Sequence, residues 1–162
     1  MLSIKRIEKD GADLEKALLL FKEYFEELNE NLSFQNTGEE LENPLKKYGA
    51  PHGSLFIACL DGEVVGCIVL QRLTLPGTSA GAVCEMKRLY VKPPFRRHKV
   101  GAGLVNVLLE DAAAKGYHRM VLDTLERLQP AIRLYHYYGF QKTSSYYENP
   151  LPGVVYMEKW LV

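Results

Sequence analysis

The chain has 162 residues, of which 47% are hydrophobic and 25% are charged, as is typical of one soluble globular domain. Its 20 Lys and Arg residues balance its 20 Asp and Glu residues, so the formal net charge is zero. This balance disfavours a nucleic-acid partner, which usually requires a net basic face, and no apolar run is long enough to span a bilayer. With no linker or repeat visible, residues 1–162 are expected to form a single domain.

Hydrophobic periodicity and turn residues predict eleven elements along the chain. In chain order they are a strand at 2–7, helices at 13–30 and 39–48, strands at 54–60, 64–73 and 83–91, a helix at 100–115, a strand at 119–124, a helix at 129–138, and strands at 140–146 and 154–160. Asp13 is the expected N-cap of the first helix, and Pro44 is expected to interrupt the second. Asp61-Gly62 predicts a tight hairpin.

This order of elements predicts an α/β fold. A meander of strands followed by two strand–helix units implies a mixed sheet with helices on both faces. A strand-to-helix turn in such a sheet is a favoured position for a ligand. The apolar strand at 154–160 could pair across a homodimer, or it could lie within the domain's own sheet.

The cysteines indicate the compartment. Cys59, Cys67 and Cys84 each lie in an apolar, strand-like run, and their spacing matches no metal-binding pattern. Buried small hydrophobes in a reducing compartment explain them better than a redox or nucleophilic role. The first seven residues alternate and lack the apolar core of a signal peptide. We therefore expect a cytoplasmic protein with no metal site and no membrane contact.

The most informative stretch runs from Glu85 to Gly103, where a strand leads through a basic turn into a helix. The first N–H groups of a helix have no intrahelical partner, and the helix dipole favours an anion beside them. Arg96 and Arg97 could be ordinary solvated charges, but their position favours contact with a phosphate-bearing ligand. Gly101 and Gly103 could serve that ligand or only allow close helix–strand packing.

Two motifs resemble those of the GNAT N-acetyltransferase superfamily. The first is Arg96-Arg97-His98-Lys99-Val100-Gly101, in which Lys99 stands where a glycine is usual. The second is Leu134-Tyr135-His136-Tyr137-Tyr138-Gly139-Phe140, with Leu128 where many members carry Asn. The resemblance implies the GNAT fold, a mostly antiparallel central sheet of about seven strands, and acetyl-CoA as cosubstrate without a metal. It also implies a set of cofactor-binding residues: Leu89, Tyr90, Val91, Arg96, Arg97, His98, Lys99, Val100, Gly101, Ala102 and Gly103.

The resemblance also assigns the transfer chemistry. Glu85, eleven residues before Arg96, stands where histone-type members carry a general base; alternatively it pairs with Lys87 on the same strand face. Tyr135 stands where members carry the acid that protonates the leaving sulfur; alternatively it packs in the core. Pro93-Pro94 could simply end the strand. Alternatively, the strand could separate from its neighbour here and leave room for the pantetheine arm, since proline cannot donate to a sheet ladder.

The expected function is therefore direct transfer of an acetyl group from acetyl-CoA to a primary amine in a ternary complex. The acceptor could be a small molecule, a peptide or a protein amine. We expect segments 30–48, 75–81 and 146–149 to form its pocket, with Glu148 either attracting the amine or solvated. The alternative is an acyl-CoA-binding sensor of the same fold without turnover. A nucleotide-binding protein is disfavoured because no P-loop or dinucleotide motif is present.

Overall fold

The computed structural model describes residues 1–161 as a seven-stranded sheet flanked by helices, in the order β1-β2-β3-β4-β5-β7-β6. The strands are β1 (Leu2–Arg6), β2 (Ser54–Leu60), β3 (Glu63–Leu73), β4 (Val83–Val91), β5 (Arg119–Leu125), β6 (Gln141–Lys142) and β7 (Val154–Trp160). The helices are α1 (Ala12–Leu28), α2 (Thr37–Glu42), α3 (Pro44–Tyr48), α4 (Val100–Ala114) and α5 (Gln129–Tyr137). Only β4 and β5 pair in parallel, so the predicted mixed, mostly antiparallel sheet is confirmed.

The two faces of the sheet carry separate cores, because side chains alternate along each strand. In β2, Phe56 and Ala58 face α4 and α5, whereas Leu55 and Ile57 face α1 and α3. Gly103 allows α4 to approach β1 closely, since an added Cβ would lie 3.2 Å from Ile4. Helices therefore cover both faces, as the sequence predicts.

Three local predictions differ from the structure. Gly11, not Asp13, precedes α1, and no side chain caps that helix. The predicted helix at 39–48 is two helices, because Asn43 before Pro44 adopts an extended conformation. The predicted strand at 140–146 pairs only at Gln141–Lys142. Of its later residues, Ser144 and Ser145 are exposed, and Tyr146 donates a hydrogen bond to Glu85 in the middle of the sheet.

Strand β4 has two irregularities that create the site. Its pairing with β5 begins at Val83 and ends at Glu85, so the two strands diverge beyond that point. Its register with β3 shifts between Lys87 and Tyr90, which is a β-bulge with Arg88 at φ 58°. Pro93 and Pro94 follow in a 3-10 turn after the strand ends. The divergence therefore begins well before the prolines.

Strand β7 lies inside the domain's own sheet. It pairs with β5 at every position from Val154 to Trp160, and β6 covers its other edge at Met157 and Glu158. Of the two alternatives that the sequence left open, pairing within the sheet is the one found.

Candidate active site

A cleft of about 380 Å³ lies beside the diverging part of β4. Residues from all three segments expected to form an acceptor pocket meet in its wall. The wall is formed by Phe34, Gln35, Asn36, Lys47, Gln71, Leu73, Thr74, Leu75, Pro76, Glu85, Lys87, Tyr146 and Tyr147. Glu148 is exposed and does not line the cleft, which favours the solvated alternative for it.

Glu85 is a buried carboxylate that opens onto this cleft. Only 2% of the residue is exposed, and it occupies the last position at which β4 pairs with β5. The hydroxyl of Tyr146 donates to Oε2, and the amide of Gln71, opposite on β3, donates to Oε1. Two neutral donors thus satisfy the buried carboxylate of Glu85.

Lys87 lies two residues further along the same face of β4. Its side chain is 7% exposed, and its Nζ lies 3.9 Å from Oε1 of Glu85. Burial lowers the pKa of Lys87, and the charge of Glu85 opposes that shift only in part. The ion pair that the sequence offered as an alternative role for Glu85 is therefore present at long range, beside the two hydrogen bonds.

The bulge in β4 is held by a buried ion pair. The guanidinium of Arg88 donates to both carboxylate oxygens of Glu40, at 2.8 Å each, and to the side chain of Gln35 at 2.8 Å. Tyr48 adds a third donor to Glu40 at 2.7 Å. Burial by itself would raise the pKa of Glu40, but the hydrogen bonds and charge of Arg88 outweigh it and lower the pKa. The pair attaches α2 to β4 beside the cleft.

Tyr135 comes from the opposite face of the sheet. It belongs to the core formed with α4, and its ring packs edge-on against Phe140 at 5.9 Å. Burial raises the pKa of its phenol, with smaller contributions from nearby Tyr24 and Asp123. Asp123 lies on β5 past the point at which β4 and β5 diverge. The packing alternative for Tyr135 is therefore present, and its role as the acid stays a prediction.

The turn before α4 has a strained backbone. Arg97 has φ 71° and Lys99 has φ 62°, both in the left-handed region that favours glycine. Family members usually carry glycine at the position of Lys99, and this left-handed backbone conformation explains that preference. Arg97, His98 and Lys99 are exposed at this helix end, whereas Val100 is buried in the core.

Arg96 differs from the other cations of the turn, because its side chain already has an acidic partner. It forms two hydrogen bonds to Glu27 of α1, at 2.8 and 2.6 Å, and stacks over the ring of Tyr90. These bonds to Glu27 are the main cause of its raised pKa. Glu27 would have to release Arg96 before Arg96 could contact a phosphate.

Other predicted positions lie around these features. Leu89 is left out of the register at the bulge, while Tyr90 and Val91 pair again with β3. Gly101 packs against α5, where an added Cβ would lie 3.3 Å from Leu134. The carbonyl of Ala102 accepts a hydrogen bond from Tyr138 at 3.0 Å. These contacts join the start of α4 to α5.

Sequence reasoning missed part of the polar network at the cleft. Asp123 accepts hydrogen bonds from Tyr147 and from Asn149, and Tyr147 accepts one from Gln35. The only available signal was the density of charged residues in β4, where an otherwise apolar strand carries Glu85, Lys87 and Arg88 in four positions.

Comparison with known proteins identifies the class. The model of the acetyltransferase (GNAT) family matches residues 18–140. An uncharacterized N-acetyltransferase of Schizosaccharomyces pombe is 45% identical over 90% of this chain and 86% of its own length. An acetyltransferase of Streptococcus agalactiae superposes with a TM-score of 0.76 at 22% identity, covering 98% of each chain. An aminoglycoside 6'-N-acetyltransferase solved with coenzyme A has a TM-score of 0.72 at 19% identity, covering 99% of this chain and 97% of its own.

The chain therefore belongs to the GNAT acetyltransferase family, as its two motifs indicated. It is an N-acetyltransferase, an enzyme of a family that uses acetyl-CoA to acetylate amines.

Two kinds of feature are absent from the part of the chain that the structure describes. Among residues 1–161, no three His, Cys, Asp or Glu side chains cluster as metal ligands would. No helix within those residues has the length and hydropathy that crossing a membrane requires.

Proposed function

We propose that the chain transfers an acetyl group directly from acetyl-CoA to a primary amine, with both reactants bound at once. The observation that carries this proposal is Glu85, a buried carboxylate that opens onto a cleft and that, within residues 1–161, accepts hydrogen bonds from two neutral donors, with Lys87 3.9 Å away. A carboxylate in this setting suits general-base catalysis, because neither neutral donor competes with a substrate amine to give it a proton. The cysteines offer no comparable nucleophile, since Cys59, Cys67 and Cys84 are all buried.

In the proposed reaction Glu85 accepts a proton from the amine as the amine nitrogen bonds to the acetyl carbon. The bond between that carbon and the thioester sulfur breaks, and Tyr135 donates its phenol proton to the departing sulfur. Burial supports this role because a raised pKa keeps the phenol protonated and ready to donate. Backbone N–H groups of Leu89, Tyr90 and Val91 are assigned to the acetyl carbonyl, supported by the bulge and by the absence of β5 pairing beyond Glu85.

The residues present fit a coenzyme A site. The divergence of β4 from β5 opens the sheet, and the first turn of α4 offers N–H groups beside exposed cations. We assign the pyrophosphate to the turn from Arg96 to Gly103, with Arg96 changing partner from Glu27 to phosphate. Bound coenzyme A supplies the thioester; the chain's own residues orient it and move the protons.

The test is a free-thiol release assay with acetyl-CoA and a broad amine panel, run beside a calorimetric titration of acetyl-CoA. Binding together with amine-dependent thiol release supports the proposal. Binding without release from any amine favours the acyl-CoA sensor instead. Absence of acetyl-CoA binding would contradict both, and would indicate that Lys99 at a glycine position disables the loop.

We further propose a cytoplasmic location. All three cysteines are free and buried, which suits a reducing compartment. Fractionation of the native host with a cytoplasmic marker enzyme tests this; recovery with a secreted or membrane fraction would contradict it.

A further inference from the structure

Lys87 is a buried cation for which the proposed transfer has no use. Its side chain is 7% exposed, yet within residues 1–161 its ammonium forms no hydrogen bond. The nearest carboxylate oxygen, Oε1 of Glu85, lies 3.9 Å away and already accepts a bond from Gln71. Because no fully buried side-chain nitrogen within residues 1–161 lacks a hydrogen-bond partner, this ammonium must reach the solvent of the cleft. Its N–H donors are therefore available to an anion that binds there.

Two lysines and one carboxylate are the charged residues in the wall of the cleft around Lys87. Among the described residues that form it, the charged ones are Lys47, Glu85 and Lys87, and the others are neutral. The ammonium of Lys47 has only a long contact of 3.4 Å with the carbonyl of Gln35, which leaves donors free. Arg88 does not change this balance, because Glu40 neutralises it. Asp123, which accepts a hydrogen bond from Tyr147 and whose charge acts on Lys87, offsets one of the two lysines, so the ammonium groups favour an anion locally and not through a net charge of the cleft.

The spacing of Glu85 and Lys87 limits the ligand further. The amine must reach Glu85 and its anionic group must reach Lys87, across 3.9 Å. In an α-amino acid the nitrogen and the carboxylate oxygens lie about 3 Å apart, because only two carbon atoms separate them. An amine and a carboxylate this close together can contact both side chains at ordinary hydrogen-bond distances.

We propose that the acceptor is a free α-amino acid whose amine faces Glu85 and whose carboxylate is bound by Lys87, with Lys47 further along the cleft. This inference rests on the acetyltransferase function proposed above. The apolar part of the wall, which includes Phe34, Leu73, Leu75 and Pro76, suits an uncharged side chain on the amino acid. Peptide N-termini, protein lysines and polyamines lack a carboxylate next to the reacting amine.

The test compares free amino acids with their carboxamides in the thiol-release assay. With leucine or phenylalanine we expect kcat/KM to exceed that of the matching amide by about 30-fold or more, because the amide leaves Lys87 unpaired. In Lys87→Met this ratio should fall to near one through a higher KM for the amino acid. In Lys47→Met it should fall only a few-fold. Lys46→Met is the matched control and should leave the ratio unchanged. Lys46 lies on α3 beside Lys47, but it is exposed and pairs with Glu39.

Calorimetry with coenzyme A-saturated protein gives a second readout that needs no turnover. Wild type should bind leucine or phenylalanine more tightly than the matching amide, and Lys87→Met should lose that difference. If amides or polyamines are acetylated as well as amino acids, the acceptor inference is wrong while the acetyltransferase proposal stands. If Lys87→Met keeps the preference, the assignment to Lys87 is wrong. If acetyl-CoA binds but no amine releases thiol, the proposed function itself fails, and this inference with it.

Discussion

Glu85 shows how a single side chain acquires a chemical role from its surroundings. The residue is 2% exposed, and a carboxylate buried to that degree needs donors. Tyr146 and Gln71 supply them without neutralising the charge. Burial raises the pKa of Tyr146, with Glu85 adding to the effect, so this phenol stays protonated and keeps donating.

Glu85→Gln tests the general-base role. The amide has the same shape but cannot accept the amine proton, so we expect kcat/KM to fall by about 10²–10⁴-fold. The affinity for acetyl-CoA should change by less than about two-fold, as measured by calorimetry. Glu63→Gln, at an exposed position in the β2–β3 hairpin, is the matched control. Wild-type turnover in Glu85→Gln would remove this residue from the mechanism.

Tyr135→Phe tests the proposed acid. The ring and its packing on Phe140 are kept, while the proton donor is lost. We expect kcat to fall by about 10–100-fold with acetyl-CoA affinity nearly unchanged, because general-acid assistance acts in the transition state. Tyr137→Phe on the same helix is the control, since Tyr137 is 81% exposed. A full-rate Tyr135→Phe enzyme would leave Tyr135 with a packing role only.

At the scale of elements, the ion pair between Arg88 and Glu40 connects a bulged strand to a short helix. An isolated helix as short as α2 is not stable by itself, so its position depends on tertiary contacts. The pair and Gln35 place the segment 33–42 against β4, and that segment forms one wall of the cleft.

Glu40→Gln should destabilise the fold strongly. The substitution leaves the buried charge of Arg88 without a carboxylate, which typically costs about 3–5 kcal/mol. Urea unfolding measures the free energy directly. Glu39→Gln is the neighbouring control: Glu39 is exposed and forms only a 3.4 Å pair with Lys46, so its loss should cost under about 1 kcal/mol. Equal effects of the two substitutions would contradict the importance of the buried pair.

The turn before α4 supplies a second prediction at this scale. Lys99 has φ 62°, so Lys99→Gly should raise the free energy of unfolding by roughly 0.5–1 kcal/mol, through relief of strain. Lys99→Ala keeps the strain and should not raise it. Both variants lose the ammonium. A loss of acetyl-CoA affinity that is common to both therefore measures the contribution of the Lys99 charge to binding. Greater stability in Lys99→Ala than in Lys99→Gly would contradict the conformational argument.

At the scale of the whole molecule, buried or partly buried carboxylates paired with cations link distant parts of the chain. Asp111 of α4 joins β1 and β2, accepting hydrogen bonds from Arg6 at 2.6 Å and from Ser54. Burial opposes ionisation of Asp111, but its bonds to Arg6, Ser54 and Lys115 outweigh burial and lower its pKa. On the other face of the sheet, the hydrogen bonds and charge of Arg88 lower the pKa of Glu40 in the same way.

These lowered pKa values predict a loss of stability in acid. Because both carboxyls have lower pKa values folded than unfolded, their contribution is complete above about pH 5 and disappears as pH falls through the folded values. Urea unfolding between pH 7 and about pH 3 should show this decline. The difference in unfolding free energy between wild type and Glu40→Gln should shrink over the same interval. If the difference in unfolding free energy stayed constant with pH, protonation of Glu40 would not be coupled to stability.

The homodimer expected from the sequence remains a prediction. The strands at the two ends of the sheet are β1, with five residues, and β6, with two, so β1 offers the longer terminal strand for an association through strands. Light scattering measures the mass in solution.

The sequence alone determined the order of elements, the mixed sheet and the family. Those properties depend on local patterns: alternation in strands, helical spacing in α1 and α4, Asp61-Gly62 at the hairpin, and the motif before α4. The short β6 was not predictable, because Tyr146 and Tyr147 leave the strand to reach partners on other strands. The left-handed φ of Lys99 was not predictable from the lysine itself, although the glycine usual at this position of the motif pointed to it.

Only the tertiary structure decided which polar residues meet at the cleft. Arg88 and Glu40 are 48 residues apart, Glu85 and Tyr146 are 61 apart, and Arg96 and Glu27 are 69 apart. Periodicity and turn chemistry operate over a few residues, whereas these pairs depend on strand register, the bulge in β4 and its divergence from β5. The sequence could therefore predict that Glu85 and Lys87 share a face of β4, but not that both side chains are largely buried beside a cleft or that Tyr146 and Gln71 bind the carboxylate.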